Sequence, residues 1–78
     1  MSLAADRKLD CVGLFCPMPI LKTRDAMKGM TVGETLEMLS DDPASEADMK
    51  SWSQITGNEL VSIDRDDAVF RFLVRKTG

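Results

Sequence analysis

Two prolines placed two residues apart, Pro17 and Pro19, restrict how the first third of this chain can fold. Proline lacks a backbone N–H and its φ is close to the helical value, so it fits the first turn of a helix but not the interior. The sequence therefore predicts a helix that begins at Pro17, with Cys16 as its N-cap. Pro17 also disfavours the α region for Cys16, which agrees with a position just outside the helix.

The predicted position of Cys16 has a chemical consequence. The first N–H groups of a helix have no intrahelical partners, and the positive end of the helix dipole lies there, so both favour a thiolate over a thiol. The chain contains no histidine, which excludes a Cys–His pair as the source of activation. We expect the helix terminus to contribute more than the nearby cations Lys22 and Arg24, and Cys16 is the candidate nucleophile.

Composition limits the function classes that need consideration. With 78 residues the chain is long enough for one domain, predicted to span 1–78, in which residues 1–5 are a disordered terminus or a non-native remnant. Ten basic and thirteen acidic side chains leave a net charge of −3, which argues against direct nucleic-acid binding. The apolar runs are too short to span a bilayer and the start lacks a secretion signal, so we expect a cytoplasmic protein with no membrane contact.

The cysteine count excludes a structural zinc site. Two cysteines without histidine cannot supply four ligands, and the sequence predicts neither a metal nor a cofactor. Cys11 falls on the inward face of a predicted strand, where cysteine behaves as a small hydrophobic residue, so core packing is its expected role. A function as a secondary, redox-active thiol is the alternative.

The spacing of apolar residues predicts the element order βαβαββ. The pattern alternates over 7–12 and 34–40, is helical over 17–28, and alternates again over 58–64 and 68–76, with a hairpin turn at 64–67. A second helix starts with Asp42 as N-cap and Pro43 at its first position, and ends at Gly57. These elements predict an α/β (α+β) two-layer sandwich, in which a mixed four-stranded sheet carries both helices on one face.

The inward positions of these elements define a predicted core of thirteen side chains. They are Leu9, Cys11, Ile20, Met27, Leu36, Met38, Trp52, Ile55, Val61, Ile63, Phe70, Phe72 and Val74. Asp41 and Asp42 are most simply interpreted as capping residues of the second helix and not as a metal pair.

Four segments, 9–19, 33–36, 41–44 and 57–60, resemble the TusA/SirA family of small sulfur carriers. The Cys-Pro-x-Pro element at 16–19 is the most specific of them, and the Asp-Asp-Pro-Ala segment supports it. The resemblance implies that Cys16 accepts sulfane sulfur as a persulfide, with Gly13, Pro17 and Pro19 as its supporting motif. It also implies a cysteine desulfurase or another sulfur donor protein as one partner and a sulfur-acceptor protein as the next.

The resemblance leaves the pathway open. Family members act in transfer RNA thiolation, sulfur oxidation, molybdenum cofactor synthesis or selenium metabolism. This sequence has Asn58 where many members have histidine and Ser53 where some have cysteine.

Two other functions compete with a persulfide carrier: a thiol redox protein that cycles Cys16 and Cys11 through a disulfide, and a non-enzymatic regulatory interaction module. The redox reading is disfavoured because a strand residue that faces the core and a cap residue that faces water point apart.

Overall fold

The computed structural model describes residues 5–15 and 18–77. The predicted cap Cys16, the predicted first helical residue Pro17 and most of the predicted disordered terminus lie outside these ranges. The described part has the predicted order of elements: β1 (Arg7–Asp10), α1 (Met18–Lys28), β2 (Thr35–Ser40), α2 (Ser45–Thr56), β3 (Glu59–Asp66) and β4 (Val69–Arg75).

The four strands form one mixed sheet in the order β1-β2-β4-β3. β1 is parallel to β2, whereas β4 is antiparallel to both of its neighbours, β2 and β3. Because β1 and β2 are parallel and adjacent, their carboxyl ends lie at the same edge of the sheet. This arrangement brings the loop that follows β1 next to the loop that follows β2.

Both helices pack against one face of the sheet, which confirms the predicted two-layer architecture. Alternate residues of β2 and β4 are buried beneath them, while α1 contributes Met27 and α2 contributes Met49 and Trp52 to the same cluster. The buried apolar core consists of Cys11, Met27, Met30, Leu36, Met38, Met49, Trp52, Phe70, Phe72 and Val74. Eight of these ten belong to the predicted core, and the predicted Leu9, Ile20 and Ile63 are partly buried against them.

The predicted core position of Ile55 is wrong. Its side chain is 85% exposed, whereas Ser45, Met49 and Trp52 form the buried stripe of α2. At 3.6 residues per turn, Ile55 lies about 90° around the helix axis from the centre of that stripe. A spacing of three from Trp52 is therefore not sufficient to bring a side chain onto the buried face.

The predicted core position of Val61 is also wrong, because β3 contains a register shift. Leu60 pairs with Val74 and Ser62 with Leu73, so Val61 is the additional residue of a β-bulge. The bulge changes the phase of the alternation. Leu60 and Ile63 pack towards the core, and Val61 is 41% exposed.

The second helix begins at Ser45 rather than at Pro43. Asp42 still accepts the N–H of Ala44 on Oδ1 (3.0 Å) and the N–H of Ser45 on its carbonyl oxygen (2.9 Å). The chain therefore makes a tight turn at Asp42 before the regular helix starts, and Ala44 occupies the N-cap position without a side-chain hydrogen bond. At the other end of the helix, Gly57 is the C-cap as predicted. Its φ is +79°, and its N–H donates a hydrogen bond to the Ser53 carbonyl oxygen.

The hairpin turn is shorter than predicted. β3 continues to Asp66, which pairs with Val69, so only Asp67 and Ala68 lie between the strands. Asp67 has a φ of +58°, which aspartate tolerates better than most residues. Among the described residues, no helix is both long and apolar enough to cross a bilayer.

Candidate functional site

The candidate site begins where β1 ends. The Cys11 N–H donates to the Leu39 carbonyl oxygen (2.8 Å), and the Leu14 N–H then donates to the Cys11 carbonyl oxygen (3.1 Å), which closes a turn over residues 11–14. Gly13 occupies the third position of this turn with φ +88°. A Cβ atom there would meet no atom within 4 Å, so the turn requires glycine for its backbone conformation and not for space.

Two aspartates hold this turn through backbone N–H groups. Asp10 Oδ1 accepts the N–H of Val12 (2.9 Å), and Asp41 Oδ1 accepts the N–H of Gly13 (2.9 Å). The first bond is local, whereas the second joins the loop after β1 to the residue that follows β2. Asp41 thus contacts the loop after β1 and not the second helix, for which the sequence predicted it as a capping residue. Asp42, the predicted N-cap, makes the contacts of the turn before α2, and the N-cap position itself is Ala44.

The entry into α1 is a second hydrogen-bonded turn. The Met18 N–H donates to the Phe15 carbonyl oxygen (2.8 Å), and the regular helix starts at Met18. Cys16 and Pro17 lie between these two residues and outside the described ranges, so the N-cap assignment of Cys16 stays a prediction. In sequence, position 16 lies between the turn over residues 11–14 and the first residue of α1.

Pro19, a predicted supporting residue, is the second residue of α1 and is buried. Its carbonyl oxygen accepts a hydrogen bond from Thr23 Oγ1 (2.8 Å), and Thr23 is fully buried. This bond satisfies the hydroxyl of a polar side chain in the core and fixes the first turn of the helix.

Apolar side chains are exposed on both sides of position 16. Phe15 is 78% exposed, and Val12 and Met18 are each more than two-fifths exposed. These three side chains lie close together in the sequence, and a concentration of exposed apolar residues is typical of surfaces that contact another molecule.

The second thiol is in a different environment. Cys11 is fully buried, and burial raises the pKa of its thiol, with a further increase from the Asp10 carboxylate and an opposing effect from Lys22. A thiol with a raised pKa is protonated near neutral pH and is a poor nucleophile. The structure places Cys11 in the core, as the strand pattern predicts.

The two positions at which the sequence departs from the family pattern make local contacts. Asn58 Oδ1 accepts the N–H of Thr77 (3.0 Å), and its side-chain amide donates to Thr56 Oγ1 (3.2 Å). The Ser53 hydroxyl donates to the Lys50 carbonyl oxygen (2.9 Å). Asn58 therefore ties the end of α2 to the last described residues of the chain.

A shallow cavity of about 150 Å³ lies at the other end of α1 and is lined by Trp52 and by the cations Arg24, Lys28 and Lys76. Lys76 Nζ donates to the Met27 carbonyl oxygen (2.7 Å). Cations favour the negative end of a helix dipole, so this charge stabilises the C-terminus of α1. In the described residues there is no group of three or more side chains suited to hold a metal ion.

Comparisons with known proteins agree on the family. The model of the family described as "Sulfurtransferase TusA" matches residues 7–76. A putative sulfur carrier protein of Archaeoglobus fulgidus is 43% identical over 70 residues, which cover 88% of this chain and 91% of that protein. The sulfur carrier protein TusA of Allochromatium vinosum is 36% identical over 72 residues, 92% of this chain and 95% of the relative.

A solved structure supports the same fold. The crystal structure of a SirA-like protein from Desulfitobacterium hafniense superposes with a TM-score of 0.78 at 18% identity, covering 92% of this chain and 99% of the other. The structural likeness concerns the two-layer fold, and the family assignment follows from the sequence matches. This chain belongs to the sulfurtransferase TusA family.

Proposed function

We propose that this protein is a sulfur carrier that holds sulfane sulfur as a persulfide on Cys16. The observation that supports this most directly is the loop between β1 and α1. It is fixed by hydrogen bonds on both sides of position 16, at Gly13 and at Met18, and exposes apolar side chains there. The family match and the names of the two relatives support the same function.

The chemistry needs one accessible thiolate. The Cys16 thiolate attacks the outer sulfur of a donor persulfide, the S–S bond of the donor breaks, and the donor cysteine leaves as a thiolate. Cys16 then carries the S–S bond, and the thiolate of an acceptor attacks the outer sulfur in the same way. Each step exchanges one sulfur–sulfur bond for another, so no external oxidant or reductant takes part.

The two cysteines have separate roles in this proposal. Cys16 carries the sulfur, whereas Cys11 fills the core between the sheet and the helices and keeps its proton. A redox pair would require Cys11 to reach the other sulfur as a thiolate, and full burial with a raised pKa opposes both conditions.

The partners of the carrier are a sulfur donor protein and a sulfur acceptor protein. A cysteine desulfurase is the donor we propose, and transfer RNA thiolation is one of the pathways that such a relay can supply. The carrier binds the proteins of the pathway and does not bind the nucleic acid directly, which agrees with its net charge of −3.

Mass spectrometry of the loaded protein tests the proposal. After incubation with a cysteine desulfurase and cysteine, the peptide that contains Cys16 should gain the mass of one sulfur atom, and a reductant should remove it. Cys16→Ser should abolish loading, and Cys11→Ala should retain it. Absence of the adduct on the wild-type protein, under conditions that load another sulfur carrier, would contradict the proposed function. Loss of loading in a folded Cys11→Ala variant would favour the redox pair instead.

A further inference from the structure

We propose that Asp41 is a positioning residue for sulfur transfer: its carboxylate holds the loop after β1 in the conformation that presents Cys16 to partner proteins. The inference rests on the proposed function, because it concerns the same loop. It assigns to Asp41 a role that differs from the helix capping expected of an Asp-Asp-Pro segment.

The geometry singles out one bond between two elements. Asp41 Oδ1 lies 2.9 Å from the backbone nitrogen of Gly13, which is 28 residues earlier in the chain. The first residue of the turn is joined to β2 by the Cys11 N–H on the Leu39 carbonyl oxygen, which continues the pairing of β1 with β2. Beyond Cys11 the other bonds of the turn are local, since Val12 binds Asp10 and Leu14 binds Cys11. The Asp41 bond is therefore the side-chain contact that joins the third residue of the turn, Gly13, to the end of β2.

A contact at Gly13 controls the direction in which the chain continues towards Cys16. The Gly13 φ of +88° places this residue in the left-handed region, which is one of several conformations that glycine can adopt freely. A hydrogen bond to an ionised carboxylate is stronger than one between neutral groups, and here it selects the turn conformation among the alternatives. The residues that follow Gly13 in sequence are Leu14, Phe15 and Cys16, so this choice sets the path of the chain towards the thiol.

The Asp41–Gly13 hydrogen bond lies at the surface, so its effect on the loop can be separated from the stability of the fold. Asp41 and Gly13 are both exposed, whereas the neighbouring Ser40 is fully buried and shares a hydrogen bond between hydroxyl oxygens with Ser45 (2.6 Å). Ser40 and Ser45 thus anchor the start of α2 without Asp41. Loss of the Asp41 carboxylate should loosen the loop while the domain stays folded.

A pair of variants with equal charge tests the inference. Asp41→Ala removes the acceptor for the Gly13 N–H, whereas Asp41→Asn removes the same charge but keeps a side-chain oxygen. The two variants therefore have the same direct electrostatic effect on a nearby thiolate, and their difference reports the hydrogen bond. Asp25→Ala is the matched control, since Asp25 is a solvent-exposed carboxylate on α1 that forms an ion pair with its sequence neighbour Arg24 (3.5 Å).

Two measurements are made on each full-length variant. The first is the rate at which a cysteine desulfurase loads the Cys16 peptide, measured by mass spectrometry. The second is the rate of alkylation of Cys16 by iodoacetamide as a function of pH, which gives the midpoint of thiolate formation without any partner protein. Urea unfolding, followed by the fluorescence of Trp52, confirms that each variant is folded.

We expect Asp41→Ala to load roughly three- to tenfold more slowly than Asp41→Asn, which corresponds to the loss of one hydrogen bond to a neutral acceptor. Its alkylation midpoint should lie at a higher pH than that of Asp41→Asn, because a thiol displaced from the helix start loses stabilisation of the thiolate. Asp25→Ala should match the wild type in both measurements.

Equal loading rates and equal alkylation midpoints for Asp41→Ala and Asp41→Asn would overturn the positioning role. A loss of loading in Asp41→Ala that parallels a loss of folded protein would overturn it too. Failure of the proposed function is a separate result: the wild type would not be loaded, while the alkylation profiles would still distinguish the two Asp41 variants.

Discussion

Replacement of Cys11 by alanine tests the division of roles between the two thiols. The Cys11 side chain has no exposed surface, and its backbone N–H continues the pairing of β1 with β2 through the Leu39 carbonyl oxygen (2.8 Å). The substitution removes one sulfur atom from the core and leaves this backbone bond in place. We therefore expect a loss of stability without a loss of sulfur loading.

The magnitude follows from the volume that the sulfur atom occupies. Burial of a group of methylene size contributes about 0.8 kcal/mol, and a residual cavity of about 20 Å³ adds about 0.5 kcal/mol at roughly 24 cal/mol per Å³. The expected decrease in the free energy of unfolding is about 1.3 kcal/mol. For a domain of this size it corresponds to a decrease in Tm of about 5–10 °C.

Cys11→Ser provides the comparison. It fills nearly the same volume but buries a hydroxyl group, and an unsatisfied buried hydroxyl costs about 1–3 kcal/mol. Urea unfolding under reducing conditions, followed by the fluorescence of Trp52, measures both variants, because this buried residue is the single tryptophan of the chain. Wild-type stability in both variants would refute the assignment of Cys11 to the core. A folded, stable variant that no longer accepts sulfur would refute its exclusion from the chemistry.

Three further predictions concern pH, the cap of α2 and its exposed face. Burial raises the pKa of the Cys11 thiol, so the stability that this thiol contributes is complete below the ordinary thiol pKa of about 8.5 and is lost as the pH rises through the folded-state pKa; urea unfolding should show a steeper decline with rising pH in this alkaline range for the wild type than for Cys11→Ala. Gly57→Ala should lower the free energy of unfolding, measured by thermal unfolding, by about 1–2 kcal/mol, because alanine is strained at a φ of +79°. No atom lies within 4 Å of the added Cβ, so a steric clash adds nothing to this cost; no loss would argue against the left-handed cap. Ile55→Gln should change the free energy of unfolding by at most about 0.5 kcal/mol, whereas Met49→Ala on the buried face should cost about 2–5 kcal/mol in the same urea experiment; similar losses in both would contradict the orientation of α2.

The sequence was sufficient to predict the fold because its strongest signals are local and periodic. Proline at the start of α1, glycine at the end of α2, and the alternation of Phe70, Phe72 and Val74 each specify one element without reference to the rest of the chain. The predictions that failed depend on tertiary context. The bulge at Val61 changes the phase of a strand by one residue, and nothing in the alternation of apolar residues marks the position of that change.

The contact between Asp41 and Gly13 shows where prediction of the site stops. The prediction of a mixed sheet did not specify which strands are neighbours. The structure pairs β1 with β2 in parallel, and this places the residues after both strands at one edge of the sheet. The direction of the Asp41 carboxylate was not predictable, because an aspartate ahead of a helix can equally accept N–H groups from that helix. Two consecutive aspartates remove this competition: Asp42 accepts the N–H groups of the turn before α2, and Asp41 is left to accept the N–H of Gly13. The Asp-Asp pair thus serves two elements at once, and the first of the two aspartates connects the scaffold to the loop that leads to Cys16.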